Sequence, residues 1–593
     1  MAQLSTNLIV RGEAVQALFA QYRAGNLVVN RRYQRKLVWS VDEKESFIDS
    51  LMQQLPVPLI LVAERKGEER ARLEIIDGLQ RLDAVFSFVN NQFAVHGGYF
   101  DLETLAETKE DFDARRLKQK RRVLPRDLCT RFAGYNLPLS VYRADSDAEV
   151  DEIFRRINSG GRHLSRQDLR QAGSTSNFAD LVREVAASIR GDFSVSDIVD
   201  LRDMPEISIS STKDAPGVFV EDIPWVKQRV LNREEVRESR DEEVIADLLV
   251  SMLIEPTPAY DSRVLDAFYG LASDADGRNT RVEAVIQRDT PDAIKARFTR
   301  VLETLLGIFD GDGKQFATVL FDAPRQRVPR YFEAVFLGLD KLLSEENLEL
   351  VDVAGAQKAL DGAGNGHIDI PSGGGTWTAR SKRTNTDVVA GLLRGFMQPA
   401  SGVLDPILER NALEVENLLR AARVESSLIE FKQGLSRLSE PPRLDDEIIF
   451  DILRTVSGMA NHGPGATGYV LIGVADTPED AQRVEALGGG TGTLVEGRYV
   501  TGLKLDRDQH KSLDDLLLWF TTKAQASPLH HAVAAQVLRD LRAVAFMGHT
   551  VLLVRVKALD EPVPFGDSFY ERLGSQTVEV QGGQVGRLFT RFR

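Results

Sequence analysis

The stretch Glu425-Ser-Ser-Leu-Ile-Glu430-Phe-Lys432, followed by the apolar run Gly468-Tyr-Val-Leu-Ile-Gly-Val-Ala475 and closed by Asp476, offers three carboxylates and one ammonium to a single small site. If Leu428 to Lys432 is extended, alternation sends Leu428, Glu430 and Lys432 to one face and Ile429 and Phe431 to the other, so a greasy strand carries acid and base at its rim. Two carboxylates about 5 Å apart repel by roughly 3 kcal/mol at an effective dielectric near 20, and three in one cleft call for a cation. Hard oxygen ligands favour Mg2+ or Mn2+. Such an ion polarises a phosphodiester and activates water, while Lys432 stabilises charge developing on the phosphate. A solvated strand face with a surface ion pair has the same spacing, so the residues alone leave both readings open.

A second constellation lies near the amino terminus. Leu73 to Ile76 reads as a short strand, Asp77-Gly78 as a turn, and Leu79 to Val89 as a helix burying Leu82, Val85, Phe86 and Val89. A helix start presents unpaired N–H groups, Gly78 permits close backbone approach, and Arg81 in the first turn can clamp an anion. An aspartate cap followed by a turn glycine is the structural alternative. Farther on, a helix through Val150, Ile153, Phe154 and Ile157 ends at Asn158-Ser-Gly-Gly161, and Ser165-Arg-Gln-Asp168 has capping-box spacing.

The elements that must position these residues are read from periodicity. Between residues 176 and 410 apolar side chains recur at three- and four-residue spacing, as in Val244, Leu248, Leu249 and Met252 or Val301, Leu305, Leu306 and Phe309, which describes packed helices. The 593 residues are enough for several domains, with 43% apolar content for their cores. Cys129 is the single cysteine, which excludes an intramolecular disulfide and a cysteine-based zinc cluster. No apolar run approaches the roughly 18 residues that span a membrane, and the expected location is the cytoplasm.

A formal charge of −14 opposes nucleic-acid binding in sum, yet local distribution decides that question. Arg115, Arg116, Lys118, Lys120, Arg121, Arg122, Arg126 and Arg131 form a basic island broken by one acid, Asp127. Arg121 and Arg122 at its centre are candidate phosphate contacts.

Two resemblances organise these readings. Glu425-x4-Glu430-Phe431-Lys432, Ala460-Asn461-x-Gly463, the Gly468 to Asp476 block and Tyr570-Glu-Arg572-Leu-Gly574-Ser575-x-Thr577 resemble the Schlafen/AlbA-type domain over residues 420 to 593. That resemblance implies a metal-dependent nuclease site at Glu425, Glu430 and Asp476, with Lys432 as a catalytic partner and Arg572 holding the nucleic-acid backbone. Tyr33-Gln34-Arg35, Pro56-Val-Pro58, Ile76 to Leu82 and Phe154 to Gly161 resemble the amino-terminal domain of GmrSD-type restriction proteins, a ParB/sulfiredoxin-like core. It implies nucleotide binding by Gln34, Arg35, Asp77, Gly78, Gln80, Arg81 and Asn158, with Leu79 standing where the motif has a polar residue.

The expected architecture is therefore α+β and multidomain. A ParB-like nucleotide- or DNA-sensing domain occupies 1–175, an all-helical connector 176–410, and a Schlafen/AlbA-like α+β nuclease domain 411–593. The expected function is anti-phage defence, with NTP or modified DNA sensed at one end and DNA or structured RNA such as tRNA cleaved at the other, using Mg2+ or Mn2+. Expected partners are nucleic acid and a nucleoside triphosphate, with no membrane and with room for a homo-oligomer. The alternatives are a non-catalytic DNA- or RNA-binding regulator, or an NTPase whose carboxyl-terminal domain only binds nucleic acid.

Overall fold

A computed structural model describes residues 8–32, 36–65, 72–144, 146–159, 165–210, 213, 216–272, 277–310, 314–323, 328–370, 377–400, 408–409, 412–423 and 427–592. Gln34, Arg35 and Glu425 lie outside the described residues. The fold is α+β and divides into two compact units, one of residues 1–186 with 197–288 and one of residues 187–196 with 289–593. The helical stretch expected at 176–410 is thus shared between them. Among the described residues, no helix is long and apolar enough to cross a membrane.

In the first unit a six-stranded sheet runs in the order β1-β5-β3-β4-β2-β6, with β1 Leu8–Ala14, β2 Leu27–Asn30, β3 Ile60–Arg65, β4 Leu73–Asp77, β5 Asn136–Ala144 and β6 Ile198–Asp200. β3 is parallel to β5 and antiparallel to β4, and β2 is parallel to β4, so the sheet is mixed. Helix α1 (Val15–Arg23) and helix α2 (Val41–Met52) both pack on helix α3 (Leu79–Val89). Tyr22 of α1 stacks on Phe86 of α3 with ring centroids 4.4 Å apart, and Lys44 of α2 pairs with Asp83 of α3 at 2.6 Å. Burying rings on the α3 stripe gives the strand-to-helix junction at Gly78 a fixed base. The helix has its expected bounds, and the strand expected to end at Ile76 runs one residue further, to Asp77. Gly78 has φ +101°, and a Cβ at that position would lie 2.9 Å from Ile60, so both conformation and space require glycine.

Two further helices follow β5, α4 (Asp147–Ser159) and α5 (Arg166–Gly173). Ser165 caps α5 as its spacing predicts: its Oγ accepts from the Asp168 N–H at 3.1 Å, and its own N–H donates to the Asp168 carboxylate at 3.3 Å. Helix α6 (Arg233–Arg237) and helix α7 (Arg240–Leu253) complete the part of this unit used below.

In the second unit a five-stranded sheet has the order β7-β10-β11-β9-β8, with β7 Leu408–Glu409, β8 Ile429–Lys432, β9 Thr467–Ile472, β10 Arg542–Phe546 and β11 His549–Lys557. β8 is parallel to β9 and forms one edge. Its burial alternates, with Ile429 and Phe431 buried and Glu430 and Lys432 half-buried, as period two demands. Helix α8 (Asp446–Ala460) packs on one face through Ile452, Val456 and Met459 against Val470, Ile472 and Val554. The other face packs Ile429, Phe431, Tyr469 and Leu471 against Leu418 and Leu419. A hairpin of β12 (Ser568–Leu573) and β13 (Gln576–Glu579) lies on α8, where Gly458 admits Thr577 and the Glu571 backbone to within 3.4 Å of its absent Cβ.

Candidate functional site

At the edge of the second sheet, Glu430 is held between two cations. Its Oε2 accepts from Arg572 Nη2 at 2.7 Å and its Oε1 lies 3.3 Å from Lys432 Nζ. The Arg572 side chain is 1% exposed, while that of Lys432 is 32% exposed. Arg572 therefore corrects one expectation. A guanidinium so covered holds Glu430 rather than a nucleic-acid backbone. Its other donors are also engaged, Nη1 with Thr577 Oγ1 at 3.0 Å and Nε with the Ser427 carbonyl at 3.4 Å. Thr577 in turn meets Thr455 of α8 at 3.0 Å, so the orientation of Glu430 traces back to the helix.

The same helix fixes the hairpin from its end. Asn461 donates to the carbonyls of Val563 and Tyr570 at 2.9 and 2.8 Å and accepts from the Val563 N–H at 2.7 Å. Buried and with its amide spent on backbone, it is an anchor that sets where Arg572 stands.

Asp476 is placed elsewhere. Its carboxylate accepts from Arg498 Nε at 3.1 Å, and the Arg498 guanidinium lies over the Phe431 ring at 4.3 Å from its centroid. Since Phe431 and Glu430 project to opposite faces of β8, the two carboxylates are held by guanidinia on opposite sides of that strand. Among the described residues no group of three His, Cys, Asp or Glu side chains is arranged to hold a metal ion. Glu425, the third residue expected to hold Mg2+ or Mn2+ with Glu430 and Asp476, lies outside the described residues, and no chemical step is drawn through an ion.

In the first unit the junction motif is occupied by its own neighbours. Gln80 accepts from the N–H groups of Val38 and Trp39 at 2.9 and 3.1 Å and donates to the Lys36 carbonyl at 2.8 Å. Its amide thus fastens the 36–39 backbone. Arg81 donates to the Leu59 carbonyl at 2.9 Å and to Asp77 at 2.8 Å, leaving the Asp77 carboxylate 48% exposed at the start of α3. Asn158 lies near the end of α4. Losing three hydrogen bonds at about 1 kcal/mol each, Gln80→Ala is expected to destabilise this unit by about 3 kcal/mol. Limited proteolysis should then cut within 36–39, and unchanged resistance would refute the clamp.

The basic island sorts itself by partners. Arg116 is taken by Asp111 at 2.7 Å, Arg126 by Asp101 at 2.7 Å and Glu103 at 2.5 Å, and Arg131 faces Asp127 at 3.9 Å. Arg121 and Arg122 are exposed. Cys129 is buried, and burial pushes its thiol above the usual range, as for a core residue.

Comparison with known families settles what the two ends are. Residues 15–173 match the family model described as GmrSD restriction endonuclease, N-terminal domain, and residues 425–581 match the one described as Schlafen, AlbA_2. The chain is a fusion of these two domains. No curated protein matches it. Within the GmrSD-type domain the match covers the β4–α3 junction and Gln80. Within the Schlafen-type domain it covers Glu430, Lys432, Asp476, Asn461 and Arg572, so the residues that anchor Glu430 sit inside the matched region.

Proposed function

We propose that this chain is a restriction-type defence effector whose Schlafen-type domain cleaves nucleic acid at the exposed edge carrying Glu430 and Lys432. One observation carries the reading: a buried guanidinium, Arg572, orients a carboxylate beside a half-exposed lysine at the free edge of a sheet. A phosphodiester brought to that edge meets Lys432 as a counter-charge for the negative charge that develops on its oxygens. Glu430, fixed by Arg572, accepts a proton from an attacking water at Oε1, the oxygen nearer Lys432. The GmrSD-type domain supplies sensing, of a nucleoside triphosphate or of modified DNA, through Asp77 and Arg81 at the start of α3.

A second reading has its own support. A carboxylate neutralised by two cations, with Asp476 on the other face of β8, suits a surface that binds nucleic acid without cutting it. The deciding experiment incubates the full chain with plasmid, single-stranded DNA and tRNA, each with Mn2+ and with EDTA, beside Glu430→Gln. Cleavage reduced at least a hundredfold in Glu430→Gln supports the nuclease. Equal binding by both proteins without cleavage under either condition supports the second reading. NTP turnover is followed in the same samples, and its loss in Asp77→Ala alone would assign it to the first domain.

A further inference from the structure

We infer that the loop from Arg115 to Arg122 is a face by which the GmrSD-type domain grips the phosphate backbone of a duplex nucleic acid, without reading its bases. Three observations on this loop carry the inference. Of the eight cations in the island, Arg115, Lys118, Lys120, Arg121 and Arg122 are exposed and form no ion pair with any described carboxylate. Arg116, Arg126 and Arg131 are the ones spent on acids. A run of unneutralised charge on a chain of net −14 is held against electrostatic preference for its own acids, and its natural counter-ion is a polyanion.

The loop is also built to stay in place. Gln119 turns inward between these cations, its Nε2 donating to Asn91 Oδ1 at 2.8 Å and to the Phe100 carbonyl at 3.1 Å, while its Oε1 accepts from the Leu102 N–H at 2.9 Å. Asn91 Oδ1 also accepts from the Lys120 N–H at 3.1 Å. Tyr99 donates its N–H to the Arg122 carbonyl at 2.7 Å and accepts from the Leu124 N–H at 2.9 Å, bracketing the far end. The charges are therefore presented from a fixed backbone, which lowers the ordering entropy that binding must overcome.

The kind of partner follows from what accompanies the charges. Stacking on single-stranded bases needs open aromatic faces. Among the described residues of this unit no Phe, Trp or Tyr side chain is exposed, the exposed His96 ring is paired with Asp49 at 2.7 Å, and the Tyr99 ring beside the loop already carries Lys120 Nζ at 5.6 Å. An anionic membrane would ask for apolar side chains alongside the cations, and Val123 is the one large apolar residue exposed on this loop. Backbone phosphates at the density of a duplex remain, one charge per about 1.7 Å of axis.

The inference rests on the nucleic-acid reading above but not on Glu430, and binding is measured in EDTA on the Glu430→Gln background so that cleavage does not enter. Fluorescence anisotropy of the full chain is followed on a DNA duplex, an RNA duplex of the same sequence, a single strand and vesicles of anionic lipid, across a salt series. Arg121→Gln with Arg122→Gln should make the dependence of log K on log salt shallower by about 1.8, because each lost phosphate contact removes about 0.9. The loss should be the same for duplexes of unrelated sequence. Arg116→Gln, which removes one charge at a cation already paired, should leave the slope where it was. An unchanged slope in the double variant, a larger effect in Arg116→Gln, or binding to vesicles or single strands in preference to duplex would overturn the inference. Duplex binding that persists when Glu430→Gln shows no role in cleavage would separate this face from the fate of the nuclease proposal.

Discussion

Arg572→Ala is expected to destabilise the Schlafen-type unit by about 3 kcal/mol, the low end of what breaking a buried ion pair costs. The side chain is buried, it carries hydrogen bonds to Glu430, Thr577 and the Ser427 carbonyl, and its removal strands a carboxylate that is itself only 17% exposed. Hydrogen exchange of the β12–β13 amides measures this, with about a hundredfold loss of protection expected near the hairpin. Arg572→Met combined with Glu430→Gln should lose less than the two single changes together, since each removes the group the other was needed to neutralise. A loss below about 1 kcal/mol in Arg572→Ala would mean that the pair behaves as a solvated surface contact.

The second large effect belongs to Asp506, a buried carboxyl beneath the chain that leaves β8. It accepts from the Leu435 N–H at 3.1 Å and from Ser436 Oγ at 2.5 Å, and burial pushes it up to about 6 from an ordinary 3.8. Because the folded value lies above the unfolded one, the folded state binds the proton more tightly. Stability is fully present below about pH 4, falls as pH rises through about 6, and stays at the lower level beyond, a span of about 3 kcal/mol. Asp506→Asn keeps an acceptor for both donors and cannot ionise. It should flatten that slope and leave the unit more stable than the parent at pH 7.5. Thermal unfolding at pH 5 and pH 7.5 measures both, and a parent whose stability rises through this window would contradict the assignment.

What the residues revealed unaided divides along a physical line. The β4–α3 junction, the alternation of Glu430 with Phe431 and the capping box at Ser165 were legible because each is written within a few residues, in a period of 2 or 3.6 or a cap spacing of three. Gln80 was not, because its partners are backbone groups of Lys36, Val38 and Trp39, which carry no side-chain signature. Arg572 looked like a ligand contact because nothing local announces that Glu430, 142 positions earlier, will close over it. The same blindness covers the unit boundary near residue 289, since helical periodicity tells which stripe a helix buries and not which neighbour buries it. The basic island was visible as composition. Which cations remain without acids depended on turns that bring Asp111, Asp101 and Glu103 back to it.

The segment from Lys36 to Trp39 is tied from three directions within the GmrSD-type unit. Gln80 holds it from the first turn of α3. Lys36 reaches the Val236 carbonyl at 2.8 Å and Ser239 at 3.0 Å, and Arg237 donates to the Val38 carbonyl. Ser239 then donates to Asp168 at 2.6 Å, the residue that closes the cap of α5. Such a knot works like a rivet through a linkage: α3, α5 and α6 share one pivot, and a ligand that tilts the first turn of α3 must carry the other two with it or shear the rivet.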